Sequence, residues 1–204
     1  MNDLYKALGD ISSIRRQIAG TTEFRGYGPL TLATTGIFAI LAAAVQASLL
    51  PDPAHHISAY LAIWITTAVF SAGLTGAQMY ARTRRIHSGV SNEMLRIAVE
   101  QFLPSAAAGL LITIVFLRYV PFAAWMLPGI WQVIFSLGIF SSCRFLPRPM
   151  IVAGAWYLLT GLSCLAIGGN RALSPWTMGI SYGAGQLMVA VILLRNTSEV
   201  EGET

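Results

Sequence analysis

Glu100, Gln101 and Pro104 stand together in VEQFLP, at the head of an apolar stretch that continues to Leu117. Proline has no N–H, so the Glu100 carbonyl four residues back would lose its helical partner. A carboxylate, an amide and a freed carbonyl at one kink would form a coordinating mouth for an ion or a polar solute. A plainer account competes. Arg96 lies four residues before Glu100 on the same helical face, and a boundary acid paired to it needs no ligand. The sequence favours the pair.

Gln132 and Gln186 are deeper, each near the middle of an apolar run. Together with Glu100 and Gln101 they make up the candidate polar site. Amides at membrane depth commonly bond between helices, and the available partners are each other, Ser136, Ser163 and Thr160. The competing reading is a midplane site for a small solute. Gln46 and Gln78 lie nearer the ends of their runs.

Other chemistry is sparse. Asp52, His55 and His56 share the segment LPDPAHHIS. They lack a fourth ligand and helical spacing, so a solvated loop is expected rather than a metal site. His87 reads as a surface residue. Cys143 and Cys164 fall about 20 Å apart along the helix axis, too far for a disulfide. The apolar runs hold no histidine, which counts against a histidine-ligated haem there, and no lysine, which excludes a retinal-type Schiff base. No phosphate loop, nucleophile elbow or HExxH motif occurs. No cofactor is expected, and an enzyme is the less favoured class.

The elements that must carry these residues follow from hydropathy. Of 204 residues, 55% are hydrophobic and 11% charged, against about a quarter charged in a soluble domain. Six runs are long enough to cross a bilayer: Leu30–Leu50, Ile57–Tyr80, Ile97–Leu117, Pro121–Cys143, Met150–Ile167 and Pro175–Leu194. The fold class is all-α, a polytopic six-helix transmembrane bundle with an N-terminal amphipathic helix. Residues 1–27 are the cytoplasmic amphipathic helix and linker, 28–195 the membrane domain, and 196–204 a short acidic tail expected to be disordered. Val45-Gln46-Ala47 resembles a signal-peptidase site, but the 29 residues before the first run are long for a leader, which favours a retained span.

Eleven cations fall on one side of these runs, in the amino-terminal segment, Arg82–Arg96, Arg144, Arg148 and Arg195. Only Arg118 and Arg171 fall on the other. The bias places both termini in the cytoplasm, in a bacterial inner membrane. It also accounts for the net charge of +4 as attraction to anionic lipid rather than to nucleic acid. Tyr60, Trp64, Tyr119, Trp125 and Trp176 suit an outer aromatic belt, and Tyr27, Tyr80, Trp156 and Tyr157 an inner one. Trp131 falls too deep for a belt and is expected between helices.

The one long connection, Ala81–Arg96, is basic, with Ser91 as a helix N-cap. Leu4, Leu8, Ile11, Ile14 and Ile18 form one stripe, an amphipathic helix suited to the inner membrane surface or to a partner. Small residues mark packing faces: Gly179 and Gly183 in one span, Gly154, Gly161 and Gly168 in another, Ser105 and Gly109 in a third. They suit a compact bundle and would also suit a homo-oligomer face. The functional expectation is a non-enzymatic accessory, sensory or interaction component working through a membrane or cytoplasmic protein partner. A small-solute or ion transporter is the alternative.

Overall fold

The computed structural model describes residues 28–86, 89–143 and 149–201. The stripe of residues 4–18, His87, Arg144 and Arg148 lie outside them, as do the side chains of Arg96 and Gln101. Among the described residues every regular element is helical: α1 Pro29–Leu49, α2 Ile57–Ile86, α3 Gly89–Tyr119, a 3-10 segment Pro121–Met126, α4 Leu127–Ser142, α5 Met150–Ile167, the short α6 Gly169–Ala172 and α7 Pro175–Glu201. Six helices are long and apolar enough to span a bilayer. Hydrocarbon offers no partner to a backbone N–H or C=O, so an apolar run this long satisfies them within one helix.

Local chemistry sets the ends. Gly28 caps α1 with Pro29 in its first turn, where the missing N–H costs nothing. Pro51 follows the other end. At the end of α5, Gly168 and Gly169 both take positive φ, 66° and 55°, a reversal that side chains resist. Gly168 therefore terminates a helix rather than seating a neighbour.

Three expectations about boundaries change. The basic connection is helical: α2 runs on through Arg82, Arg84 and Arg85 to Ile86, and α3 begins at Gly89. Ser91 is thus inside α3 rather than capping it. No glycine or proline interrupts 77–86, so nothing stops the helix where hydropathy falls. The acidic tail likewise continues α7 as far as Glu201. Pro104 sits inside α3, which is continuous from Gly89 to Tyr119.

Neighbours in space are not always neighbours in sequence. α1 lies most extensively against α7, and α4 against α5. Gly183 faces Gly36 and Ile40, and Gly179 faces Ala43, which sets an antiparallel register between α1 and α7. A Cβ on Gly161 would stand 2.9 Å from the Gly129 carbonyl, and one on Gly129 2.8 Å from that of Gly161. The α4 and α5 backbones therefore touch there, an approach that only glycine permits. Gly154 receives the Phe140 ring. Gly109, by contrast, has nothing near it, so the expected packing role on α3 falls to Ser105, beside Gly138. α2 and α3 bury little of their spans, and they meet each other only lightly.

Candidate functional site

The polar interior is built on α2, α4, α5 and α7. Tyr60, Gln132, Ser136 and Tyr157 are all fully buried. Tyr60 and Tyr157, expected in the aromatic belts, point inward instead, as does Trp64. On α2 the i, i+4 pair Tyr60 and Trp64 marks its single packed face, and a belt residue and a core residue look alike from sequence. Tyr80, Tyr119 and Trp176 are exposed, as a belt requires.

Two kinds of polar group occupy this interior. The first kind is satisfied. Gln46 accepts the Trp64 indole N–H at 2.7 Å and donates to the Leu173 carbonyl at 2.8 Å. Gln78 of α2 accepts the Gly28 N–H at 3.2 Å, at the start of α1. The two glutamines thus tie both ends of the α1–α2 pair. Trp131 donates to Thr113 at 2.8 Å, joining α4 to α3 as a residue between helices should. Trp156 donates to the Ser181 carbonyl at 2.9 Å, joining α5 to α7.

The second kind is not satisfied. The Tyr60 hydroxyl, Gln132 Oε1, Ser136 Oγ and the Tyr157 hydroxyl have no hydrogen-bond partner. Gln132 is weakly held at its other end too: Nε2 lies 3.5 Å from the Thr177 carbonyl and 3.7 Å from the Met178 sulfur. The first distance is at the limit of a hydrogen bond. That carbonyl already accepts the Ser181 hydroxyl at 2.6 Å. The expected partners of Gln132 (Gln186, Ser136, Ser163 and Thr160) are not those it has. Gln186 is the polar neighbour of the Tyr157 hydroxyl, without the geometry of a good bond.

Gln132 and the Tyr157 ring lie against successive turns of α7. Met178 contacts Gln132, and Tyr182, one turn on, lies 5.2 Å from Tyr157 and 5.6 Å from Phe135 between ring centroids. Tyr60 belongs to a buried cluster that includes Leu127, Leu173 and Met178, and Tyr182 packs against that cluster. Ser136 follows Gln132 by one turn on the same face of α4. Edge-to-face contacts from Phe102 to Phe135 and from Phe135 to Tyr157, at 5.3 and 4.8 Å, hold the rings in place. Tyr157 in turn seats its ring on Gly185.

A buried polar group left without a partner costs about 1–3 kcal/mol. Four such groups represent a large fraction of the roughly 5–15 kcal/mol that holds a fold together. None of them carries a formal charge. These four side chains include no activated nucleophile and no acid–base pair.

The other predicted residues lie apart. Glu100 is exposed at the beginning of the α3 span, near the end of the bundle where Phe102 meets Gly138. Gln132 is six residues before Gly138 on α4, about 9 Å along the axis. Gln186 is eight residues beyond Met178 on α7, about 12 Å along. The structure therefore does not assemble Glu100, Gln132 and Gln186 into one site. Asp52 Oδ2 bonds His55 Nδ1 at 2.6 Å in an exposed loop. This bond holds the Asp52 carboxyl below its ordinary 3.8. No group of three or more metal-ligating side chains occurs among the described residues. Cys143 and Cys164 are free thiols, with Cys164 buried.

Comparison with protein-family models, with curated proteins and with solved structures gives no match to this chain.

Sequence reasoning found Gln132 by its depth but missed Tyr60, Tyr157 and Tyr182. Only the spacing of Ser136 from Gln132 signalled a shared face. The tyrosines carried no such mark, because a hydroxyl at an aromatic position suits a membrane boundary equally well.

Proposed function

We propose that the chain is a non-enzymatic multi-pass membrane protein that acts as an accessory, sensory or interaction component alongside another protein. One observation carries this reading. α2 and α3 bury little of their spans, whereas α4 and α7 are well packed. Leu103, Leu110, Leu111, Ile114 and Val115 leave an apolar face on α3, and the basic helical extensions of α2 and α3 lie beside it in the chain. Such an edge suits another membrane helix, with close packing rather than hydrophobicity as the driving force. The eleven-to-two bias of cations supports cytoplasmic termini and a bacterial inner membrane.

The test is the mass of the particle extracted from its native membrane with its surrounding lipid. The reading expects a stoichiometric second protein, or a second copy, beside the 22.0 kDa chain. Leu111→Trp on the bare α3 face should displace it. A lone monomer unaffected by Leu111→Trp contradicts the reading.

A second reading, transport of a small solute or ion, draws support from the four unsatisfied groups. Reconstituted vesicles test it: a solute flux reduced by Gln132→Leu favours transport. A flux whose pH dependence vanishes in Glu100→Gln would place Glu100 on the path.

A further inference from the structure

One face of α2 is left open by the chain and ends in a charge. Gly73, Ala77 and Tyr80 stand at i, i+4 and i+7, and Val69 precedes them by one turn, so the four share one side of the helix. All four are exposed, Val69 by 67% and Tyr80 by 57%. A Cβ on Gly73 or Gly76 would meet nothing within 4 Å, unlike one on the glycines of the α1–α7 and α4–α5 seams. The same register carries position 84, an arginine, onto this face, while Arg82 falls about 200° away on the far side. The span ends at Ala81 and α2 continues to Ile86, so position 84 lies about 5 Å past the hydrocarbon. We infer that this face of α2 binds one anionic phospholipid, with an acyl chain along Gly73 and Gly76 and the phosphate at Arg84.

Charge selects the occupant. α2 contains no aspartate or glutamate, and between positions 81 and 101 four arginines outnumber two glutamates. Arginines just past the end of a span draw anionic headgroups, and a guanidinium matches a phosphate with two N–H donors. A docked membrane helix would need an acid of its own at the height of Arg84. An anionic phospholipid carries its phosphate at that height by construction. The distances agree with this. Gly73 lies eight residues before Ala81, about 12 Å along the axis, which is inside the ~15 Å of hydrocarbon in one leaflet. Glycine in mid-helix is unfavourable relative to alanine, yet no neighbour in the chain uses the space at Gly73 and Gly76. An acyl chain lying against the backbone would use it. Tyr80, between the glycines and Arg84, is an exposed aromatic of the type that sits at the headgroup boundary. The site requires only that the helices span a bilayer, and it stands apart from the partner reading: either can fail without the other.

Native mass spectrometry of the full-length protein, released from detergent micelles, tests the site. Dioleoyl phosphatidylglycerol and dioleoyl phosphatidylcholine are titrated separately. Phosphatidylglycerol should be retained about fivefold more tightly, the weight of one arginine at a membrane surface. Arg84→Gln should remove most of that preference, whereas Arg82→Gln, with the same change in net charge, should leave most of it. Gly76→Leu fills the open face and should weaken both lipids together. Glycerol phosphate, a headgroup without acyl chains, should not displace the bound lipid. Circular dichroism and the unfolding midpoint establish that each variant is folded. If Gly76→Leu fails to fold, Ala77→Leu takes its place. Equal retention of the two lipids, equal loss of preference in Arg82→Gln and Arg84→Gln, or unchanged retention in the folded face variant overturns the proposal. So does displacement by glycerol phosphate, or a bound protein mass, in place of lipid, that the face variant removes.

Discussion

Trp64 and Gln46, on adjacent helices, meet through an indole N–H donated to an amide oxygen at 2.7 Å, with both side chains buried. The other end of the amide reaches the Leu173 carbonyl, 127 residues along the chain. One side chain thus joins α1, α2 and the turn before α7.

Gln46→Leu should therefore destabilise the protein. It strands the Trp64 donor and the Leu173 acceptor, and the loss should be about 1–3 kcal/mol. Trp64→Phe should cost less at the hydrogen bond but add a packing loss. A double-mutant cycle by reversible unfolding in bicelles should give a coupling of about 0.6–1.7 kcal/mol, the range for interhelical bonds in membranes. A coupling near zero would show that the contact is not energetically linked.

Gln132→Leu should behave differently. Its Oε1 has no partner and its Nε2 bonds are long, so replacing it with an apolar side chain should be nearly neutral, within about 0.5 kcal/mol, when no solute is bound. The same unfolding assay distinguishes the two glutamines. From sequence alone they look equivalent, each an amide in an apolar run.

The packing seam gives a paired prediction. Gly161→Ala places a methyl 2.9 Å from the Gly129 carbonyl and should cost about 1–3 kcal/mol as the α4–α5 contact is forced apart. Gly109→Ala meets nothing and should be neutral or stabilising by up to about 1 kcal/mol through helix propensity. Equal effects at the two sites would contradict the close α4–α5 approach.

The sequence disclosed the six spans because an apolar run in hydrocarbon has only one way to satisfy its backbone. Met150–Ile167 was legible to the residue, since a proline precedes it and two glycines follow it. Helix extensions were less legible. Ala81–Ile86 and Asn196–Glu201 lose hydropathy without losing helix-forming residues, so the helix outlasts the span. The interior was the least legible part. Tyr60 and Trp64 suited a membrane boundary by type and position, and only the one-sided packing of α2 turns them inward. The Gln46 tie needs a carbonyl far along the chain, which no local spacing reveals. The candidate site was legible in Gln132 alone.

The exposed Asp52–His55 contact predicts a titration. The hydrogen bond from His55 lowers the Asp52 carboxyl below 3.8. A carboxyl depressed in the folded state stabilises at pH above its unfolded value, and that contribution is lost as pH falls through the folded value. NMR of the Asp52 side chain should show a midpoint below 3.8, and His55→Ala should raise it toward the ordinary value. An unshifted midpoint in the native protein would mean that the loop contact does not persist in solution.

The most direct test of the account is topological. With Cys143 and Cys164 replaced by alanine, single cysteines at His55, Tyr119 and Asn170 should react with an impermeant thiol reagent added outside intact cells. Cysteines at Asn2 and Thr204 should react only after the membrane is opened. Outside labelling at Thr204 with protection at Asn170 would break the six-span count and contradict the account.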